Sequence, residues 1–76
     1  MQRAGEVQGV AQGIAVVRSP DADHPDLGAT LLDENLDVAG RVVDVFGPTD
    51  QPYLAVSPPD SVALASLLGA VLYYRD

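Results

Sequence analysis

The sequence predicts an all-β fold: a small antiparallel barrel of five or six short strands, formed by one domain covering residues 1–76. Three observations predict it. The apolar residues are mostly Val, Leu, Ala and Ile, with Phe46 the single Phe and Tyr at 53, 73 and 74, a β-branched and aromatic-poor supply that suits a pleated sheet. Strand-like runs recur at short intervals between Gly, Pro and Asp, and no long helix separates them to carry a parallel crossover. A chain this short buries only about 60% of the surface it exposes when unfolded, so its core is small, and closure would hide the edges of its short strands.

Arg3–Val10 reads as a mixed polar and small-residue strand, Gly9–Gly13 as a turn, and Gly13–Arg18 as a short apolar strand that pairs with the first as a hairpin. Ser19–Gly28 carries two Pro, three Asp and a closing Gly, which marks a loop. Ala29–Leu32 is a further strand, Asp33-Glu34-Asn35 a turn, and Leu36–Ala39 the lead into the next strand. After Tyr53–Ser57, Pro58-Pro59 closes the strand. Asp60 or Ser61 then caps a short helix over Val62–Leu68, with Gly69 as its C′ residue, and Ala70–Arg75 is the last strand.

The most informative stretch is Gly40–Val56. Its first half alternates Val42, Asp44 and Phe46 against Arg41, Val43 and Val45; its second alternates Leu54 and Val56 against Tyr53, Ala55 and Ser57. Between them Gly47 supplies a free φ, Pro48 a fixed one of about −65°, and Pro52 removes an amide donor just before the second strand. Phe46 and Tyr53 stand at the two feet of this proline-bounded loop. They serve either as a hairpin corner packed on the core or as a preorganised contact surface, since aromatics are favoured interface anchors.

Charge narrows the function. Eleven acidic residues face four basic ones, all Arg (3, 18, 41 and 75), for a net charge of −7 and no Lys. Phosphate-backbone binding needs clustered Lys and Arg, which this chain lacks. An acidic, Lys-free composition is that expected of a halophilic protein: at ~1 M salt the Debye length is about 3 Å and self-repulsion is screened. The domain is accordingly expected to melt at a higher temperature in molar KCl than in dilute buffer. Without Cys, no disulfide, thiolate metal site or thiol nucleophile is available. No apolar run approaches the ~18 residues of a membrane span, and the N-terminus leads into a strand rather than a secretory segment, so a soluble, cytoplasmic protein is expected.

Chemistry-bearing motifs are scarce. His24, the single His, lies in a Pro-flanked loop, where a general base would lack evident partners. Ser19, Ser57, Ser61 and Ser66 stand in no nucleophile elbow, and no phosphate-binding Gly loop occurs. Asp21, Asp23 and Asp26 place three oxygen donors close together, but without the Gly and Glu of an EF-hand and with Pro25 interrupting the series; a solvated acidic loop is the simpler reading. Asp44 interrupts an apolar strand, and either lies buried as a catalytic acid or points outward or pairs with an Arg such as Arg41. The chain is not expected to be an enzyme, to hold a metal or cofactor, or to take a small-molecule substrate.

The motif Gly40-x-Val42-x-Asp44-Val45-Phe46-Gly47-Pro48, followed by Pro52-Tyr53-x-Ala55-Val56, closely resembles the archaeal GAR-type subunit of box H/ACA ribonucleoproteins. Gly5-x-Val7, Ile14-x-Val16 and Leu68-Gly69-x-Val71-Leu72-Tyr73 extend the resemblance over essentially the whole chain. It implies a closed six-stranded antiparallel barrel of the translation-factor type. It also implies a noncatalytic role in RNA-guided rRNA pseudouridylation and ribosome biogenesis: docking on the pseudouridine synthase subunit, called dyskerin in eukaryotes, positioning its mobile thumb loop, and so assisting substrate loading and release. Guide RNA and rRNA would be met only indirectly, which suits the acidic charge.

Eukaryotic members carry Gly/Arg-rich tails, whereas this chain stops at Asp76, so a tail-borne RNA contact is not expected. Apart from Leu68, where the last match begins, the loop Pro20–Leu27 and the segment Val62–Leu68 fall outside the matched motifs. For the docking face the resemblance and the loop chemistry select Phe46, Gly47, Pro48, Pro52 and Tyr53, with Leu67 and Leu68 as second choices. Two other functions share such a barrel. A small translation-factor-like barrel would bind RNA or a GTPase partner, but needs a basic stripe or aromatics interleaved with Arg. A related assembly-factor branch occupies a similar docking site during biogenesis, and the short, tail-free chain is read as favouring the subunit over it.

Overall fold

A computed structural model describes residues 1–75 of the chain. Six strands form: β1 (Gln2–Ala11), β2 (Ile14–Arg18), β3 (Thr30–Leu32), β4 (Val38–Phe46), β5 (Tyr53–Ser57) and β6 (Val71–Tyr74). All neighbours are antiparallel, and the order β1-β2-β5-β4-β3-β6 closes on itself into a barrel. The seam between β3 and β6 is the narrowest, with one registered pair, Leu32 opposite Tyr73. Among the described residues no helix is long and apolar enough to cross a membrane.

The strands send small aliphatic side chains inward, in alternation wherever the ladder is regular. Val7, Val17, Leu31, Val42, Leu54, Val56 and Leu72 fill the barrel with the alanines Ala4, Ala15 and Ala39 between them, all almost fully buried. Strand β5 keeps the expected alternation throughout: Leu54 and Val56 point in, while Tyr53, Ala55 and Ser57 do not.

Strand β4 departs from the alternation. Its register against β5 shifts between Val42, opposite Val56, and Asp44, opposite Ala55, which leaves Val43 as an extra residue. This β-bulge moves every later side chain to the other face. Val42 therefore faces the core, whereas Asp44 and Phe46, expected on the same face as Val42, point to solvent. Similar shifts occur in the β1–β2, β1–β6 and β3–β4 pairs and bend the sheet enough for closure. At one of them, Gly5 (φ 143°) lets β1 cross β2 so closely that a Cβ would lie 2.1 Å from the Arg18 carbonyl oxygen.

The helix expected over Val62–Leu68 is a single 3-10 turn, Leu64–Leu67. Neither Asp60 nor Ser61 caps it: Ala63 precedes it in an extended conformation, with no side-chain cap. A segment this short gains too few bonds to nucleate an α-helix. Instead, i→i+3 amide bonds recur at Val62, Ser66, Leu68 and Ala70, and the turn serves to drive Leu67 into the open end of the barrel.

Candidate functional site

The register that bulges β4 also sets Phe46 directly opposite Tyr53. Both side chains stand outside the barrel. Their rings stack with centroids 5.6 Å apart and planes inclined by 20°, an arrangement worth about 0.5–1.5 kcal/mol beyond the area it buries. Phe46 remains 44% exposed, so it does not fill the barrel.

Arg18, the last residue of β2, is registered opposite Tyr53 on the other side of β5. Its Nη1 donates to the Tyr53 hydroxyl (3.2 Å), its Nη2 donates to Gln51 Oε1 (3.1 Å), and its guanidinium carbon lies 5.3 Å from the Tyr53 ring centroid. Such a cation on a ring at the surface contributes about 0.5–1 kcal/mol. Gln51 in turn donates from Nε2 to the Pro20 carbonyl (3.2 Å), and the Ser19 amide donates to the Pro52 carbonyl (2.9 Å). The loop after β2 is thereby tied to the loop before β5. Gly47 has φ 89°, and a Cβ there would lie 2.9 Å from Tyr53 Cδ2, so only glycine turns the chain this close to the ring.

Of the residues selected from sequence, Phe46, Gly47 and Pro48 are exposed at this corner and Tyr53 is half-buried within it. Pro52 is buried beneath. Leu67 and Leu68 lie elsewhere, and the structure separates them: Leu67 is 5% exposed and belongs to the core, which removes it from any surface, while Leu68 is 57% exposed. Arg18 and Gln51 were not selected. The signal that finds them is the β2–β5 pairing, which joins residues far apart in the chain.

The remaining titratable candidates have structural roles. Asp44 is exposed and its Oδ1 accepts from the Val45 amide (2.8 Å), so it is not a buried acid. Asp21 Oδ1 accepts from the Asp23 amide (2.9 Å), and the buried Ser19 hydroxyl donates to the Asp21 carbonyl (2.9 Å), which makes these residues the braces of their loop. Among the described residues no three His, Cys, Asp or Glu side chains gather as metal ligands. The His24 ring, half-buried, has Nδ1 2.9 Å from the Pro25 carbonyl oxygen. What the corner offers chemically is a flat aromatic face on a braced loop, beside one guanidinium.

A family model described as the Gar1/Naf1 RNA binding region matches residues 1–76. Solved structures that match include one described as "Structure of the Gar1 domain of NAf1", 16% identical over 97% of this chain and 85% of that one, with a TM-score of 0.74. At that identity the likeness bears on the fold alone. A search of curated proteins returns no match.

Proposed function

The chain belongs to the family of Gar1/Naf1 RNA-binding regions, and from that membership we propose that it is the noncatalytic, GAR-type subunit of a box H/ACA RNA-guided pseudouridylation complex. It docks on the pseudouridine synthase subunit and assists substrate loading and release. The observation that carries the reading is the exposed Phe46–Tyr53 stack, held in place before any partner arrives by Gly47 and Arg18. A contact surface ordered in advance loses little side-chain entropy on binding, and central aromatics are the residues that dominate interfaces.

The contact is made with protein rather than with phosphate. The four Arg are dispersed over β1, β2, β4 and the residue after β6, and one of them, Arg18, is already engaged on Tyr53. With a net charge of −7 around them they make no continuous basic stripe. RNA is then approached through the assembled complex.

The test is capture of the synthase subunit of the same organism by this chain in molar KCl, with and without guide RNA. Capture is expected in both cases, and Phe46→Ala or Tyr53→Ala is expected to reduce it at least tenfold while the fold persists by circular dichroism. Retention on RNA alone, without the synthase, would replace this reading with the translation-factor-like barrel that binds RNA or a GTPase. A Tyr53→Ala chain that fails to fold, together with a Phe46→Ala chain that captures normally, would make the corner purely structural.

A further inference from the structure

We propose that the end of the barrel opposite the Phe46–Tyr53 corner is a second docking surface, whose occupant is an extended protein segment with a basic residue between two apolar ones. Strand β4 begins at this end with Val38 and reaches the aromatic corner at Phe46. Nine strand residues span about 25–30 Å, so the two surfaces can be occupied at once.

A trough of about 610 Å³ runs between the β3–β4 turn and the segment around the 3-10 turn. Val38, Val62 and Leu68 supply apolar walls, and Val38 and Leu68 are 51% and 57% exposed. Across Asp33 and Glu34 lies a second hollow of about 300 Å³, walled by Met1, Leu36 and Tyr73, where Met1 and Leu36 are 60% and 58% exposed. Asp33 and Glu34 line both hollows, Asp37 lines the larger, and no basic side chain lines either.

The occupant follows from this layout. A trough with Val38, Val62 and Leu68 on its walls and a smaller, mainly apolar hollow flank an acidic divide, which matches a segment whose apolar side chains reach those walls while a Lys or Arg crosses Asp33 and Glu34. In an extended segment, residues two or four apart share a face, which supplies the spacing. The acidic rim repels a phosphate backbone, so a nucleic acid does not fit.

The turn is built before any occupant arrives. Asp33 Oδ1 accepts from the amides of Asn35 (2.8 Å) and Asp37 (3.1 Å), and the Asp33 amide donates to the Asp37 carbonyl (2.9 Å). Leu36 then sits at φ 66°, a conformation that Gly or Asn adopts more cheaply. The chain holds a solvent-exposed leucine at a strained position beside the second hollow, and a contact with a partner explains the choice.

The test is an amide-resolved NMR titration of the full chain with a seven-residue peptide bearing Leu at its second and sixth positions and Arg at its fourth, the rest Thr and Gly. In about 0.15 M KCl, shifts are expected at residues 33–38 and 61–71. Glu34→Lys and, separately, Leu68→Glu are expected to weaken binding at least tenfold, and Phe46→Ala to leave it unchanged. No binding at millimolar peptide, shifts centred on another face, or equal binding of peptides with both Leu changed to Ala or with Arg changed to Glu would overturn the proposal. So would an oligouridylate that displaces the peptide. Because Phe46→Ala reports only on the synthase corner, the two readings fail separately.

Discussion

The two ends of the barrel expose apolar surface by different means. At the β4–β5 end, strand register does the placing: Phe46 and Tyr53 are opposite residues of one ladder, and Arg18 comes from the next strand over. At the β3–β4 end, irregular backbone does it, through a turn tied by the Asp33 carboxylate and a 3-10 turn that plugs the barrel with Leu67. The first end presents rigid rings beside a cation; the second presents hollows of mixed apolar and acidic lining. A ladder repeats its geometry residue by residue and so can orient large flat groups, whereas a turn orders one side chain at a time and suits smaller contacts.

Leu67→Ala strikes hardest at the plugged end. Removing a buried leucine costs about 2–4 kcal/mol, so thermal melting is expected to shift well down. The near-ultraviolet dichroism of the stacked rings at 20 °C should survive wherever the chain remains folded, because the plug and the stack lie at different ends. Loss of the ring signal before global melting would show that the ends are coupled.

Gly47→Ala tests the aromatic end with a smaller effect. A side chain at φ 89°, with its Cβ 2.9 Å from Tyr53, is expected to cost about 1–2 kcal/mol and to reorient the ring. Near-ultraviolet dichroism is expected to fall and synthase capture with it, while the peptide titration at the other end stays as before. An unchanged ring spectrum would show that the stack does not need this glycine.

At the β3–β4 turn a substitution is expected to stabilise slightly. Leu36→Asn puts a residue that tolerates positive φ at the strained turn and should stabilise the chain by about 0.5–1 kcal/mol in denaturant unfolding, while weakening the basic peptide. A loss of stability would mean that Leu36 is held by packing against the barrel rather than kept for contact.

Much of this could be read in the chain. All six strands fall where strand-like runs meet Gly, Pro or Asp, and β5 alternates as Leu54 and Val56 require. The aromatic corner was legible as a motif, because Gly47-Pro48 and Pro52 restrict the loop locally whatever surrounds it. Asp44 and Phe46 were assigned to the face of Val42 because unbroken alternation is the only pattern a single strand displays. The bulge at Val43 exists only in the pairing with β5. The segment 62–68 looked helical from its Ala and Leu content, yet the need to seat Leu67 in the barrel end outweighed that weak local preference.

Whatever depends on nearest neighbours is legible in the chain alone: strand-length apolar runs, proline and glycine stops, the acidic charge and the absence of thiols. Tertiary structure decided which side of the barrel each later residue of β4 faces, that Leu67 is core while Leu68 is surface, and that Arg18 and Gln51 brace Tyr53. The physical reason is the same in each case. Register across a closed sheet is set by hydrogen bonds between residues far apart in the chain, and a one-residue shift in one ladder reverses every side chain beyond it.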